Sequence, residues 1–374
     1  MSERSVRRTY LLVLATLVGF GCVAVYSATA IISHETYGST MRFAATHCVA
    51  VVVGCLLSLG VLAVPSEWLR RSAKNLIIGC GMVLVLVKIF GLQVGGATRW
   101  FRLGPLSIQP SEFAQLALVL YMADYLARKQ DEIRDFRQGL LPPLLVTAGL
   151  AGLVLIQSDL GTAIVMTSVT GVMLLLAKAR LKHMGILAGI GLIGLAVLIA
   201  SEGYRMRRMM AFMNPWQDPA GVGFQILQSY LAFANGGLMG QGLGASMQKL
   251  FYLPGAHTDF IFAVIAEELG LLGTTAVLGL FALLISCGIR MALYAQAAFE
   301  KYLIAGFVSL VGLEAIVNMA VVTGLLPTKG LPLPLLSYGG TAMVGNLMAC
   351  ALILRASRSE PVPGLDAPTV GLAG

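Results

Sequence analysis

The residues with most chemical potential gather around Asp259, in the run His257-Thr258-Asp259-Phe260 at the head of a long apolar stretch. A carboxylate at a membrane–water boundary can be hydrated and stay ionised, and a helix N-terminus favours the anion. Such a group can take the proton of an attacking hydroxyl, a poor nucleophile near neutral pH, as a general base. The competing reading is that Asp259 or Thr258 only caps the helix that follows. Glu267 comes eight residues later, about 12 Å deeper along a helix and within about 80° of the same face, whereas Glu268 points nearly opposite. One of these two carboxylates is therefore expected to line the cavity that Asp259 faces.

Cations form the second group. Arg99 and Arg102 bracket Trp100 and Phe101; Arg205, Arg207 and Arg208 open a long polar connection, Lys249 lies near its end, and Lys329 sits in a later loop. Arginine grips phosphate bidentately, so an anionic ligand accounts for this set. Anionic lipid headgroups, or Asp218 and Glu202, account for it equally well. Lys88, Asp159, Glu267, Glu268 and Glu314 fall within apolar runs, where a charge costs about 2.5–3.5 kcal/mol on insertion scales. Such groups belong in a protein-lined cavity. Glu314 and Asn318 are stacked on one helix face by their spacing of four and read as an interhelical hydrogen-bonding pair.

The elements that must carry these groups are membrane helices. The 374 residues are 57% hydrophobic and only 12% charged, about half the charge of a soluble domain, with a mean hydropathy of +0.83. The net charge of +8 does not indicate a nucleic-acid partner, because the cations sit in short clusters between apolar runs, as loop anchors do. Apolar runs near 10–32, 43–64, 76–93, 113–127, 143–157, 159–177, 184–202, 260–286, 303–324 and 339–355 predict an all-α polytopic membrane protein with about ten transmembrane helices. The first run is too long for a signal peptide and is expected to remain as a span. Lysine and arginine crowd one set of loops, from Arg4, Arg7 and Arg8 through Arg128–Arg137 to Arg355 and Arg358. The positive-inside rule places those loops and both termini in the cytoplasm. The 203–258 connection is then extracytoplasmic, and its aromatic residues Trp216, Phe224, Tyr230, Phe233 and Tyr252 predict short helices folded back on the membrane surface rather than disorder. Residues 1–358 form the transmembrane domain and 359–374, rich in Pro and Gly, a disordered cytoplasmic tail. Cys22, Cys48, Cys55, Cys80, Cys287 and Cys350 all lie in apolar runs without a C-x-x-C pair, and are expected to be buried small hydrophobes.

These segments resemble the SEDS family (shape, elongation, division and sporulation; FtsW, RodA and SpoVE) from about Tyr10 to Arg355. The resemblance rests on ATRWFRLGPLSIQPSEFAQLAL at 97–118, QSDLGTA at 157–163, YRMRRMMAFMNPWQDPAGVGFQILQS at 204–229, GGLMGQGLGASMQKLFYLPGAHTDFIFAVIAEELG at 236–270 and NMAVVTGLLPTKGLPLPLLSYGG at 318–340. KLFYLP and LLPTKGLPLP are more similar to the FtsW, division-associated branch. The resemblance implies a peptidoglycan glycosyltransferase of the bacterial cytoplasmic membrane, at the division septum, that polymerises lipid II together with a class B penicillin-binding transpeptidase and other divisome membrane proteins. It implies that Asp259 is the aspartate of the family's H-T-D-F motif. The implied substrate contacts are Arg99, Trp100, Arg102, Asp159, Arg205, Arg208, Lys249, His257, Thr258, Glu267, Lys329 and Ser337. No closed metal cage is encoded; a divalent cation, magnesium or manganese, would bridge Asp259 and pyrophosphate. The alternatives are a lipid II flippase using the membrane carboxylates, and a non-catalytic division scaffold. The chain departs from the family pattern at Thr98, Gln115 and Gly255, each replacing a charged residue, and at Ser158 (for proline), Leu335 and Thr341.

Overall fold

The structure is a computed structural model that describes residues 2–94, 97–103, 106–250 and 253–358. The 359–374 tail and Tyr252 lie outside these residues. Long apolar stretches cannot leave backbone polar groups unpaired in lipid, so they coil into helices. Each of the ten expected runs overlaps one helix: α1 Glu3–Tyr37, α2 Arg42–Ala63, α3 Ser66–Phe90, α4 Pro110–Arg128, α5 Leu141–Ile156, α6 Leu160–Leu176, α7 Leu181–Ala200, α10 Ile261–Tyr294, α11 Ala298–Val322 and α12 Gly340–Ala356. Among the described residues, seven helical segments are long and apolar enough to cross a membrane, while α6 and α12 are shorter apolar helices. The 203–258 connection carries the short helices α8 Gly203–Met213 and α9 Phe224–Gly236.

Two features depart from the expectation. A small antiparallel sheet, β1 Leu92–Val94, β2 Ala97–Leu103 and β3 Leu106–Ile108, joins α3 to α4, so the chain is helical but not purely so. α3 begins at Ser66 rather than near 76, because its first turns are charged. Arg71 pairs with Glu67 at 2.6 Å, and Arg70 reaches Asp124 of α4 at 3.2 Å.

α4 and α11 run through the centre, with buried residues along nearly all of α4. α7 has no buried residue and stands at the periphery. Not all cysteines are interior: Cys287 and Cys350 are buried, whereas Cys48 and Cys55 are exposed on the outside of the bundle, where lipid replaces protein as the apolar surroundings.

α10 is broken at Gly270, whose φ is 65°. The segment 237–242 lies alongside the break. Gln241 and Gly242 donate to the carbonyls of Glu267 and Glu268, and Leu271 and Leu272 donate to those of Gly237 and Leu238. The interrupted helical hydrogen bonds are thus replaced by bonds to the loop. Only glycine fits at the break, since a Cβ on Gly270 would collide with the Gly240 nitrogen and the Leu238 carbonyl, and the left-handed φ disfavours any other residue.

Candidate active site

A cavity of about 540 Å³ opens between the starts of α6 and α8, the later turns of α7 and the end of α11. Its polar side is formed by Arg99, Asp159, Arg205, Arg208 and Lys329; its apolar side includes Ile164, Leu195, Ile199, Phe212, Val317 and Val321. Residues distant in sequence are brought together here: of the expected cations, Arg99, Arg205, Arg208 and Lys329 line the cavity, and Arg102, Arg207 and Lys249 do not.

The charged groups are held by main-chain oxygens. Arg99 on β2 donates to the carbonyls of Gln157 (3.2 Å) and Ser158 (2.5 Å), and its guanidinium lies 3.6 Å from Asp159 Oδ2. Asp159 caps α6 by accepting from the Thr162 N–H at 3.2 Å, and its other oxygen accepts from Gln109 Nε2. Ser158 has φ 64°, a conformation closed to proline, so its departure from the family pattern belongs to the turn that aims this carbonyl at Arg99. Arg208 donates to the Thr328 carbonyl at 3.3 Å and Arg205 to that of Leu198 at 2.9 Å. Both guanidiniums lie over the Tyr204 ring, at 5.7 and 5.8 Å. Lys329 is half-buried, and desolvation lowers its pKa to about 8 against the opposing pull of Asp159.

Asp259 stands behind the Lys329–Gly330 wall. Its Oδ2 lies 3.0 Å from where a Cβ on Gly330 would be, so the missing side chain gives the carboxylate its approach. Burial raises the Asp259 pKa to about 6, and Arg208, a hydrogen bond from Thr258 and Arg99 oppose the rise only in part. The cap reading does not match the helix: Phe260 is the N-cap of α10, and no side chain caps it. Asp259 is instead fixed through its backbone carbonyl, which accepts from Asn318 Nδ2 at 2.8 Å.

Several expected residues stand elsewhere. Lys249 does not face the cavity; it is buried, 2.7 Å from Glu268 Oε1 and 3.1 Å from Ser27 Oγ on α1. Glu267 is fully buried and accepts from Ser246 Oγ, the Gln248 N–H and Asn235 Nδ2. Both carboxylates after Asp259 therefore secure the long loop, because the break at Gly270 brings that loop against them. Ser337 Oγ accepts from the Leu333 N–H and closes its own turn. His257 packs against Phe43 and Tyr338, with its basicity lowered by burial. Trp100 and Arg102 lie on β2 outside the cavity lining. Glu314 does not pair with Asn318 but bonds to Gln115 of α4 and Asn346 of α12. Asn318, Gly330, Gln109 and Tyr204 were not singled out as site residues, although Asn318 and Gly330 both lie within the conspicuous 318–340 motif.

Among the described residues no group of three or more His, Cys, Asp or Glu side chains gathers as a metal site. The donor set near Asp259 fits only an ion whose other ligands come from a substrate.

The bundle and its cavity define a multi-pass membrane protein with a cationic recess, an apolar wall and, beside them, the Asp259 carboxylate with its pKa raised by burial. The family described as Cell cycle protein (FtsW/RodA/SpoVE) matches residues 7–361. The chain is 43% identical over 365 residues to the probable peptidoglycan glycosyltransferase FtsW of Trichlorobacter lovleyi, covering 96% of this chain and 95% of that one. It is 40% identical to stage V sporulation protein E of Bacillus subtilis, covering 96% and 99%. Among solved structures it is similar to a chain of a peptidoglycan synthase complex that coordinates polymerization and crosslinking (TM-score 0.78, 30% identity, 93% and 96% covered). It is also similar to the rod shape determining protein RodA of Thermus thermophilus (TM-score 0.70, 28% identity, 93% and 95% covered). The chain belongs to the FtsW/RodA/SpoVE family.

Proposed function

We propose that this chain polymerises lipid II at the cavity beside Asp259, with Asp259 as general base. The chain is a peptidoglycan glycosyltransferase; the substrate and residue roles are the proposal. The 4-hydroxyl of the acceptor sugar attacks the anomeric carbon of the donor chain. A new glycosidic C–O bond forms, the bond to the lipid diphosphate breaks, and the hydroxyl proton passes to Asp259. The departing diphosphate gathers negative charge, which Arg208, Arg205, Arg99 and Lys329 are placed to stabilise. A magnesium or manganese ion would be held by Asp259 and diphosphate oxygens and would supply further positive charge there. The apolar wall of Leu195, Ile199 and Phe212 suits the polyprenyl tail.

One observation carries this reading: a carboxylate of pKa about 6 is set behind a glycine beside arginines that line a half-apolar cavity. The flippase alternative loses support, because Glu267 and Glu268 are occupied by loop and α1 partners.

Ten crossings with both termini cytoplasmic, the 203–258 loop outside and the cavity near the outer leaflet complete the proposal. A cysteine introduced at Gly221 should react with an impermeant thiol reagent in intact spheroplasts; labelling only after lysis would reverse the orientation. By the family resemblance, a class B penicillin-binding transpeptidase and other divisome membrane proteins are the partners, at the septum. The functional test is polymerisation of labelled lipid II by the purified chain, alone and with its transpeptidase. Absence of product in both would move the scaffold reading ahead.

A further inference from the structure

Asn318 is almost wholly buried, at 1% exposure, on α11 beside the cavity-lining residues Val317 and Val321. Its side-chain nitrogen donates twice: to the Asp259 carbonyl at 2.8 Å and to the Leu331 carbonyl at 2.6 Å. Those carbonyls belong to two separate segments. One carries the carboxylate, and the other carries Gly330, whose missing side chain leaves room for it. No other side chain among the described residues bonds both segments.

We propose that Asn318 is a positioning residue for glycosyl transfer, a single amide that sets the Asp259 segment against the Lys329–Gly330–Leu331 segment and so fixes the carboxylate relative to the cavity. This inference rests on Asp259 being the base. An amide suits the task because its two N–H groups diverge at a fixed angle and can serve two acceptors. Aspartate at this position would set a carboxylate against two carbonyl oxygens, and leucine, of similar size, would offer no donor. The fit at Gly330 leaves little tolerance: with 3.0 Å to the site of a Cβ, a small relative shift of the segments closes or opens the approach. Misplacement by about 1 Å can cost about a hundredfold in rate.

General structural support would lower the amount of folded protein without changing the rate per correctly inserted molecule, which separates it from positioning.

The experiment measures steady-state polymerisation of lipid II, per correctly inserted molecule, by the chain with its transpeptidase, for wild type, Asn318→Leu, Asn318→Asp and Asp259→Asn. For Asn318→Leu the expected result is a kcat at least about tenfold lower. KM for lipid II should stay within about twofold, so that the loss falls on kcat per correctly inserted molecule. Asn318→Asp keeps the size and polarity of the site and serves if the leucine variant fails to insert; it should also lose kcat. A wild-type kcat in correctly inserted Asn318 variants, or a loss confined to KM, would overturn the inference. The two readings fail separately. Near-normal polymerisation by Asp259→Asn removes the base assignment and this inference with it. An inactive Asp259→Asn with an unaffected Asn318→Leu removes only the role of Asn318.

Discussion

Asp259 and Glu268, nine positions apart in the chain, are employed in opposite ways. Glu268 is saturated: Lys249 Nζ and Ser27 Oγ both donate to it, and lysine and glutamate side chains are each only 4% exposed. Asp259 is half-buried and has no ion-pair partner within contact distance among the described residues, although arginines act on it from the cavity. A carboxylate whose lone pairs are occupied by a cation cannot readily accept a proton from a substrate. One that is desolvated but unsaturated can. The two differ in pairing rather than in proximity to positive charge.

The largest expected effect tests the open side of this contrast. Asp259→Asn should insert, remain stable in detergent and bind its transpeptidase, yet polymerise lipid II at least about a hundredfold more slowly, since general acid–base catalysis is worth about 10²–10⁴-fold. A near wild-type rate would return the search for the base to other residues. The closed side should fail through stability. Glu268→Gln leaves Lys249 buried without its counter-ion, and breaking a buried pair costs about 3–5 kcal/mol. Its unfolding midpoint in detergent should fall, and Lys249→Met with Glu268→Leu should recover much of the loss. An unchanged midpoint for Glu268→Gln would erase the distinction between the two carboxylates.

Arg208→Ala should raise the lipid II concentration needed for half-maximal rate by roughly tenfold, the scale of one charge-assisted contact. Arg208→Lys should recover only part, because the planar fork is lost. An unchanged concentration dependence would assign Arg208 to lipid headgroups instead. The mildest test is pH. Burial keeps the proton on Asp259 up to about pH 6, so the basic form, and the rate, should grow as pH rises through that value. Lys329 loses its charge above about pH 8, so the rate should decline there. Lys329→Arg should move the alkaline limb upward, and an unmoved limb would remove Lys329 from the profile.

Much of this was legible from residue patterns, for identifiable reasons. Apolar runs report helices because lipid admits little else, and the gathering of Arg99, Arg205, Arg208 and Lys329 was implied by their shared charge and motifs. What escaped was set by tertiary contact. Lys249 and Glu267 carry the right chemistry but are captured, Lys249 by Glu268 on α10 and Ser27 on α1 and Glu267 by the loop, which helical spacing from Asp259 does not reveal. The strands Leu92–Val94, Ala97–Leu103 and Leu106–Ile108 are too short to leave a hydropathy signal of their own in a chain dominated by long apolar runs. Asn318 was assigned to Glu314 by its spacing of four, but backbone carbonyls from two other segments lie closer to its amide.

The break at Gly270 bears on how the enzyme tolerates its bilayer. An unbroken α10 would be a rod of about 51 Å, longer than the roughly 30 Å hydrocarbon core, and would tilt as membrane thickness changed. The break leaves residues 271–294, about 36 Å, to span and tilt. The short segment Ile261–Leu269 is pinned instead by the loop bonds at Glu267 and Glu268. The break thus separates the part of α10 long enough to span the hydrocarbon core from the part bonded to the loop beside Asp259.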